Sequence, residues 1–536
     1  AQRKAERRAR WYRALAEVGE EARARLERRW DALPQTPVAP VAAEHPYAAD
    51  LDVTLGRASL VQLLGPLGAA TGARVASRWL LEPAAPTEVR ARQAAVRDLA
   101  PRTAFRESMA ARARLAGQAR RTDVGRFLEW AEAEPWLARR ATLSAARWLL
   151  PGAWAVVVAL VALGLVPGVA LALPLLAGVV LAGLSGRGVV RLLGGAAPGS
   201  ATFRIFADQL DAMVREPVEA PLLRRLQDGL IAEGTPAPLA LRRLRRILDA
   251  AELRYSPMLH GVVNVVTAWD LHVLAALERW QHGAGRRARA WFDALGEVEA
   301  LAAFAGLLDG QPGWSLPEIA EDADRLEAEG IGHPLLPPGA CVRNDVTVGP
   351  AGSFLFVTGS NMAGKSTLLR AIGSNAVLAL AGAPVCAHRL RLPPVAVLTS
   401  MRVSDSLAAG LSFFMAELVR LKGVVEGARA AAADPGAPRP LYLLDEILQG
   451  TNSAERQVAA RRIVRHLLEA GAIGAISTHD LGLADTPELH AAAVPVHFRE
   501  TLTAGPDGPA MTFDYALRPG LATSANAMKL VEMIGL

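Results

Sequence analysis

Cysteine is almost missing from this chain: Cys341 and Cys386 are the two it has in 536 residues. That excludes a disulfide framework, and their spacing suits no zinc site, so the chain reads as intracellular. Aromatic residues are 5% of the total, and no window repeats at ~20–50 residues, which argues against propellers and solenoids. Lysine is scarce too, with four (Lys4, Lys365, Lys422, Lys529) among 59 basic residues. What is abundant is apolar: 51% hydrophobic against 21% charged residues excludes a disordered chain. The length suggests roughly three domains. A net charge of +6 invites a nucleic-acid partner. Alanine is as over-used as arginine, however, so genome composition explains the arginines equally well, and any one cluster is either a DNA face or a solvated one.

Residues 1–47 read as an exposed amphipathic helix followed by a proline-rich linker. Residues 48–147 look helical throughout, with breaks near Gly65–Pro66 and Pro83–Pro86. From Trp148 to Gly186 there are 39 residues without a charge. A Pro167–Gly168 pair splits them into arms Pro151–Val166 and Val169–Leu184, each roughly 24 Å long at ~1.5 Å per residue. Pro174 should kink the second arm. Arg139, Arg140 and Arg147 precede the run, and Arg187 and Arg191 follow it, placing both ends on the cytoplasmic side. The position excludes a cleavable signal peptide. Globular helices normally keep a polar face, so 148–186 reads as a membrane-embedded hairpin, the other reading being a hairpin buried in a soluble core. Residues 187–330 return to charged helices, with RRLRR at 242–246 and Arg286, Arg287 and Arg289 beside Trp280 and Trp291. From 331 to 536 short apolar β-runs alternate with helices, the pattern of a mostly parallel α/β sheet.

Phe354–Thr358 is a buried strand followed at once by GSNMAGKS (Gly359–Ser366) and a helix from Thr367. This is a phosphate-binding P-loop in strand–loop–helix context. Its backbone N–H groups and the helix N-terminus suit phosphate oxygens. Lys365 reaches the β- and γ-phosphates, and the Ser366 hydroxyl completes a Mg²⁺ shell. The strand before Asp445 and Glu446 ends in two carboxylates, one for the metal and one to polarise an attacking water. His479, after the strand Gly474–Ser477, is placed to sense a γ-phosphate, although a lone histidine is more often structural. Gly410-Leu-Ser412 opens a helix and offers a second anion-binding end, facing the nucleotide of a partner subunit.

The order TGSNMAGKSTLLR (358–370), SDSLAAGLSFFMAEL (404–418), LLDEILQGTNSAER (443–456) and STHD (477–480) resembles the ATPase domain of the MutS DNA mismatch repair family, a branch of ABC-type ATPases. Upstream, Ala48–Leu64 and Thr71–Leu99 are similar to that family's helical core, and His333-Pro334 and Asn344-Asp345 to the approach to its nucleotide site. The resemblance covers roughly 48–130 and 200–536. It implies that Gly359, Ser360, Asn361, Met362, Ala363, Gly364, Lys365, Ser366 and Thr367 bind ATP, and that Ser366 and Asp445 hold Mg²⁺. Glu446 would support hydrolysis, with His479 as the switch. Ser412 would contact the partner's γ-phosphate, and Gly450–Ser453 would cross the interface of a homodimer.

The departures shape the expected function. Counterparts of the mismatch-reading and connector domains are lacking, and the apolar hairpin sits about where the family inserts its DNA clamp. Ser360 replaces a proline, and Cys341 stands where an aromatic stacks on adenine. The chain starts at Ala1 rather than Met and stops at Leu536 without a dimerising helix pair or a nuclease module. The expected architecture is an α/β P-loop ATPase domain plus an all-α lever carrying the hairpin. The expected function is an ATP-hydrolysing dimer switch that binds double-stranded DNA in mismatch repair or structure surveillance, with RRLRR and Arg286–Arg289 on phosphates. The alternative is a mechanical ATPase anchored at the inner membrane face through 148–186, with no mismatch recognition. No further repair partner is indicated.

Overall fold

Apolar residues at helical spacing make most of the chain before Gln311 helical, from Gln2–Leu26 to Arg286–Gly310. The computed structural model describes residues 2–522 except 36, 37, 39, 43, 55, 66, 68–70, 118–123, 196–199, 233, 361, 403–412, 449–452, 506 and 507. Two units result. One gathers Ala1–Val18, Leu67–Gly72 and Ala104–Glu299; the other gathers Gly19–Pro66, Ala73–Thr103 and Ala300–Leu536.

The first unit is all helix among its described residues. Its core is aromatic: Phe127 meets Phe203 at 4.8 Å, Phe206 meets Phe292 at 4.9 Å, and Trp130 stacks on Trp280. A buried Glu299 carboxylate accepts from Thr71 Oγ1, Gly72 N and Gln209 Nε2 at 3.0–3.1 Å, so its charge is fully partnered.

The uncharged run forms α1 (Ala141–Ala162) and α2 (Ala172–Gly195), joined through a short 3₁₀ turn at Gly168–Leu171. Both arms are longer than the apolar run alone suggests, because α1 starts in the charged segment before Trp148 and α2 continues past Gly186. Pro151 lies inside α1. Its ring removes the hydrogen bond that would close on the Arg147 carbonyl, and His272 Nε2 takes that carbonyl instead at 3.0 Å. Pro174 does not kink its arm, since it falls in the first turn of α2, where a missing N–H costs nothing. The side chains of Arg187 and Arg191 lie outside the described residues. Two further helices meet the hairpin: α3 (Pro257–Thr267) and α4 (Trp269–Trp280).

In the second unit, residues 48–54 and 56–59 are turns and bends rather than helix, because Asp50 and Asp52 spend their side chains on tertiary partners. Gly65 and Pro86 do mark helix ends, after Leu60–Leu64 and before Thr87. β-Structure also begins ahead of residue 331, with Glu318–Ile319 and Leu326–Ile331 in a four-stranded sheet with Asn344–Val348 and Arg389–Leu392. The short first strand and the Glu/Ala/Gly content of the second hide that sheet from a hydropathy reading.

The larger sheet contains β1 (Phe354–Thr358), β2 (Val395–Ser400), β3 (Arg439–Asp445), β4 (Ile473–Ser477), β5 (Ala493–His497) and β6 (Arg518–Pro519), in the order β6–β5–β1–β4–β3–β2. All neighbours are parallel except β6. Strands covered on both faces read as continuous apolar runs, as FLFVT and LYLL do. Helices α5 (Lys365–Ala381), α6 (Phe413–Ala433) and α7 (Ser453–Glu469) pack with this sheet, α6 and α7 sharing a core with Phe356, Tyr442, Leu444 and Ile476.

Candidate active site

Ligand crevices in such sheets form at the carboxyl ends of the strands. Here the parallel register sets Val357 of β1 and Asp445 of β3 both against Ser477 of β4, bringing three strand ends together. A cavity of about 740 Å³ opens there, lined by Lys365, Ser366, Thr367, Glu417, Asp445 and Glu446.

The loop before α5 needs backbone that side chains resist. Gly359 and Gly364 have φ of +140° and +112°, and Met362 sits at +71°. At Gly359 a Cβ would lie 3.1 Å from the Phe498 carbonyl oxygen. Ser360 donates its hydroxyl to Glu500 Oε2 at 2.8 Å, a bond that a proline there would not supply. Ala363 is buried, while Met362, Ser366 and Thr367 are exposed. Lys365 opens α5, two residues earlier than the sequence pattern suggests. Its buried Nζ donates to the carbonyls of Gly359 (2.8 Å) and Ser360 (3.1 Å) and lies 3.4 Å from Glu446 Oε1. A charge that deep needs such partners.

Asp445 accepts the Ser477 hydroxyl, which fixes its carboxylate at the strand end. Glu446 adopts a left-handed φ of +48° while its N–H bonds Ser477 O at 3.0 Å. That turn swings its side chain between Lys365 and His479, whose Nδ1 is 3.7 Å from Glu446 Oε2. His479 is itself exposed. Asp480 has a local task, capping Gly482 N at 3.0 Å.

Sequence reasoning assigned no role to several residues here. Glu417 of α6 is buried, lines the cavity and accepts the Leu448 N–H. Its place five residues after Ser412 in a quoted motif was the available signal. Tyr515 and Phe498 also line the cavity, and Asn344 holds the Tyr515 segment by accepting from Leu517 N at 2.7 Å. Cys341 points elsewhere, its Sγ within 3.7 Å of His333 O. His333 borders the cavity, and enclosure by protein, with Arg370 and Arg402 nearby, pushes its pKa down to about 4. Asn361, Ser412 and Gly450–Asn452 lie outside the described residues, as does the side chain of Ser453.

Among the described residues no group of three or more His, Cys, Asp or Glu could cage a metal. One hydroxyl and one carboxylate, Ser366 and Asp445, fit a Mg²⁺ ion that keeps its waters and arrives with phosphates.

The arginine clusters are partly spent on protein. Arg242 pairs with Asp211, Arg245 with Asp249, and Arg289 holds both oxygens of Glu132 at 2.7 Å. Arg287 stacks on Trp291 and donates to the Thr235 carbonyl. Arg243, Arg246 and Arg279 instead border a second cavity of about 440 Å³.

Residues 355–536 match the family model "MutS domain V". The chain is similar to the DNA mismatch repair protein MutS 2 of Halobacterium salinarum, 32% identical over 257 residues, or 47% of this chain and 28% of that protein. It is also similar to the DNA mismatch repair protein MutS of Natronomonas pharaonis, 33% identical over 267 residues, 49% of this chain and 28% of the relative. The match thus spans little more than a quarter of the curated relatives' length.

Proposed function

We propose that this chain, whose residues 355–536 match MutS domain V, is a MutS-type protein that binds and hydrolyses ATP as a homodimer and uses the cycle to change the shape of its helical arms. The convergence of Lys365, Ser366, Asp445 and Glu446 on one cavity, with His479 Nδ1 3.7 Å from Glu446, supports this reading. Lys365, already aimed at the loop, passes from the Gly359 and Ser360 carbonyls to phosphate oxygens, with Gly359, Ser360, Asn361, Met362, Ala363, Gly364 and Thr367 forming the cradle. Glu446, relieved of its lysine, orients the attacking water and takes up its proton, and His479 reports the γ-phosphate. Mg²⁺, held by Ser366 and Asp445, neutralises charge on the phosphates when bound. Ser412 and Gly450–Ser453 act on the partner's nucleotide and the dimer interface.

The work is proposed to be done on double-stranded DNA in repair or structure surveillance, the role that the relatives' names carry. Arg243, Arg246 and Arg279 supply phosphate contacts, and binding should weaken steeply with salt. A second reading, compatible with the first, is an ATPase anchored at the cytoplasmic membrane face. It is supported by a mean hydropathy of 1.7 within Ala141–Ala162 and 2.2 within Gly168–Gly186, apolar stretches of which only 6% and 22% are buried. At ~1.5 Å per residue, the 22 residues of α1 reach roughly 33 Å, enough for the ~30 Å hydrocarbon layer.

The test is nucleotide uptake with Mg²⁺ by the purified chain, alone and as Glu446→Gln. The variant should keep ATP, lose at least ~100-fold in turnover, and accumulate as pairs. A chain that takes up no ATP, or stays single when saturated, overturns the proposal.

A further inference from the structure

The segment between Arg254 and Trp269 escaped the sequence reading, yet its polarity is reversed. On α3 and the turn before it, Tyr255 (85% exposed), Met258 (89%), Leu259 (54%) and Val262 (67%) form one outward stripe at i, i+3, i+4 and i+7. The polar residues face inward. His260 Nε2 meets Asp270 Oδ1 at 2.9 Å, Asn264 is buried and accepts from Asp270 N at 2.9 Å, and Arg254 Nε lies 3.5 Å from the same aspartate. A helix against water shows the opposite arrangement.

The stripe is not isolated. α3 packs on both hairpin arms. Trp154 Nε1 of α1 donates to the Val265 carbonyl at 3.3 Å. At Gly178 of α2 a Cβ would stand 2.2 Å from that same carbonyl oxygen. Backbones come that close where small residues allow it, as between helices in lipid. The exposed apolar surface of the hairpin (Leu149, Val156, Leu173, Val180 among others) therefore continues onto α3. At Ala268, with φ +51°, the chain turns by 80° into α4. Eleven residues span only ~16 Å, too short to cross a bilayer and of a length to lie in its interface.

We infer that α3 is a third membrane element: an interfacial helix whose Tyr255–Met258–Leu259–Val262 stripe is buried in bilayer hydrocarbon beside the hairpin, with the His260–Asp270–Arg254 network pinning its inner face. This rests on the membrane reading of α1 and α2. Hydrocarbon is the occupant because the stripe is continuous with the hairpin surface and its one polar group, the Tyr255 hydroxyl, stands at the stripe's end, where an amphipathic ring suits the bilayer interface.

The experiment places an environment-sensitive nitroxide at Met258→Cys and Val262→Cys in the full chain carrying C341S and C386A. The protein is reconstituted in phosphatidylcholine–phosphatidylglycerol vesicles. Leu163→Cys at the hairpin tip and Glu321→Cys on the ATPase unit serve as references. Labels at 258 and 262 should resemble 163: several-fold more accessible to oxygen than to a water-soluble nickel chelate. If 163 is in lipid while 258 and 262 behave like 321, α3 faces water or a second copy and this inference fails, leaving the hairpin reading intact. If 163 also reports water, both fail. As a check independent of labelling, Met258→Ser/Val262→Ser should expose 255–267 to protease several-fold faster on vesicles; an unchanged rate also overturns the assignment.

Discussion

Asp50 Oδ2 accepts the hydroxyl of Thr399 at 2.6 Å across 349 residues of chain. The same carboxylate takes Met401 N at 3.2 Å, Arg402 N at 3.1 Å and Arg420 Nη2 at 3.2 Å. Asp52, two residues on, holds the Arg402 guanidinium at 2.6 and 3.0 Å. The turn around Asp50 and Asp52 therefore braces the end of β2, where Ser400 and Met401 line the candidate nucleotide cavity. Asp50→Ala would leave buried donors without an acceptor and should cost roughly 3 kcal/mol. The urea midpoint of the purified protein measures this, and an unchanged midpoint would deny the brace its role.

His333 supplies a pH dependence whose sign is fixed. Its folded pKa of about 4 lies below the ordinary value of 6.5, so protons favour the unfolded chain. Its stabilisation is complete above pH ~6.5 and drains away as pH falls towards 4, by at most about 3 kcal/mol. The ring keeps partial exposure to the cavity, which makes that figure an upper bound. His333→Asn, which preserves an acceptor for Leu335 N, should flatten the slope of urea midpoint between pH 7.5 and 5. Parallel slopes for the two proteins would assign the dependence elsewhere.

Cys341 is held down to about 6 by a hydrogen bond from the Cys386 thiol, with help from His333 and from Arg343 and Arg28; that bond to Cys341, and then burial, push Cys386 up. At neutral pH iodoacetamide should modify Cys341 first, because the thiolate is the nucleophile. Cys386→Ala should slow that reaction severalfold at pH 7 while leaving the rate at pH 10 nearly unchanged. Equal rates for both proteins at pH 7 would remove the thiol pair as the cause.

Gly178→Leu forces apart α2 and the Val265 carbonyl, since even a Cβ has no room there. Hydrogen exchange in 257–267 should accelerate while exchange in 365–381 stays as it was. Unaltered protection of α3 would mean the close approach is not what holds it.

The candidate nucleotide site was legible because its signals are local. Gly359 through Ser366 need only the strand before them and the helix after, and Asp445, Glu446 and His479 each follow an apolar run. Glu417 and Tyr515 were not legible as cavity residues: tertiary folding brings them there from a helix face and a late segment, neither with a periodic signature, whereas His333 was reached only through the family resemblance. The hairpin announced itself by the lack of charge, but its ends did not. Helix continues into charged sequence whenever caps are weak, so Ala141 and Gly195 lie well beyond 148 and 186. α3 stayed hidden because eleven residues containing a histidine and an asparagine fall below any spanning threshold. What distinguishes it is which way those two residues point, and only the folded chain determines that.

The second unit takes its residues from 19–66, 73–103 and 300–536, and this sets an order of events on the ribosome. Asp50 must wait for Thr399 to be synthesised, and Arg92 for the Ala381 carbonyl that it bonds at 3.1 Å. Residues 104–299, hairpin included, leave the exit tunnel while those early segments still lack their partners. On the membrane reading proposed above, insertion of the hairpin would precede assembly of the second unit. Translation stalled shortly before residue 395 should leave nascent chains pelleting with membranes but still open to protease around Asp50.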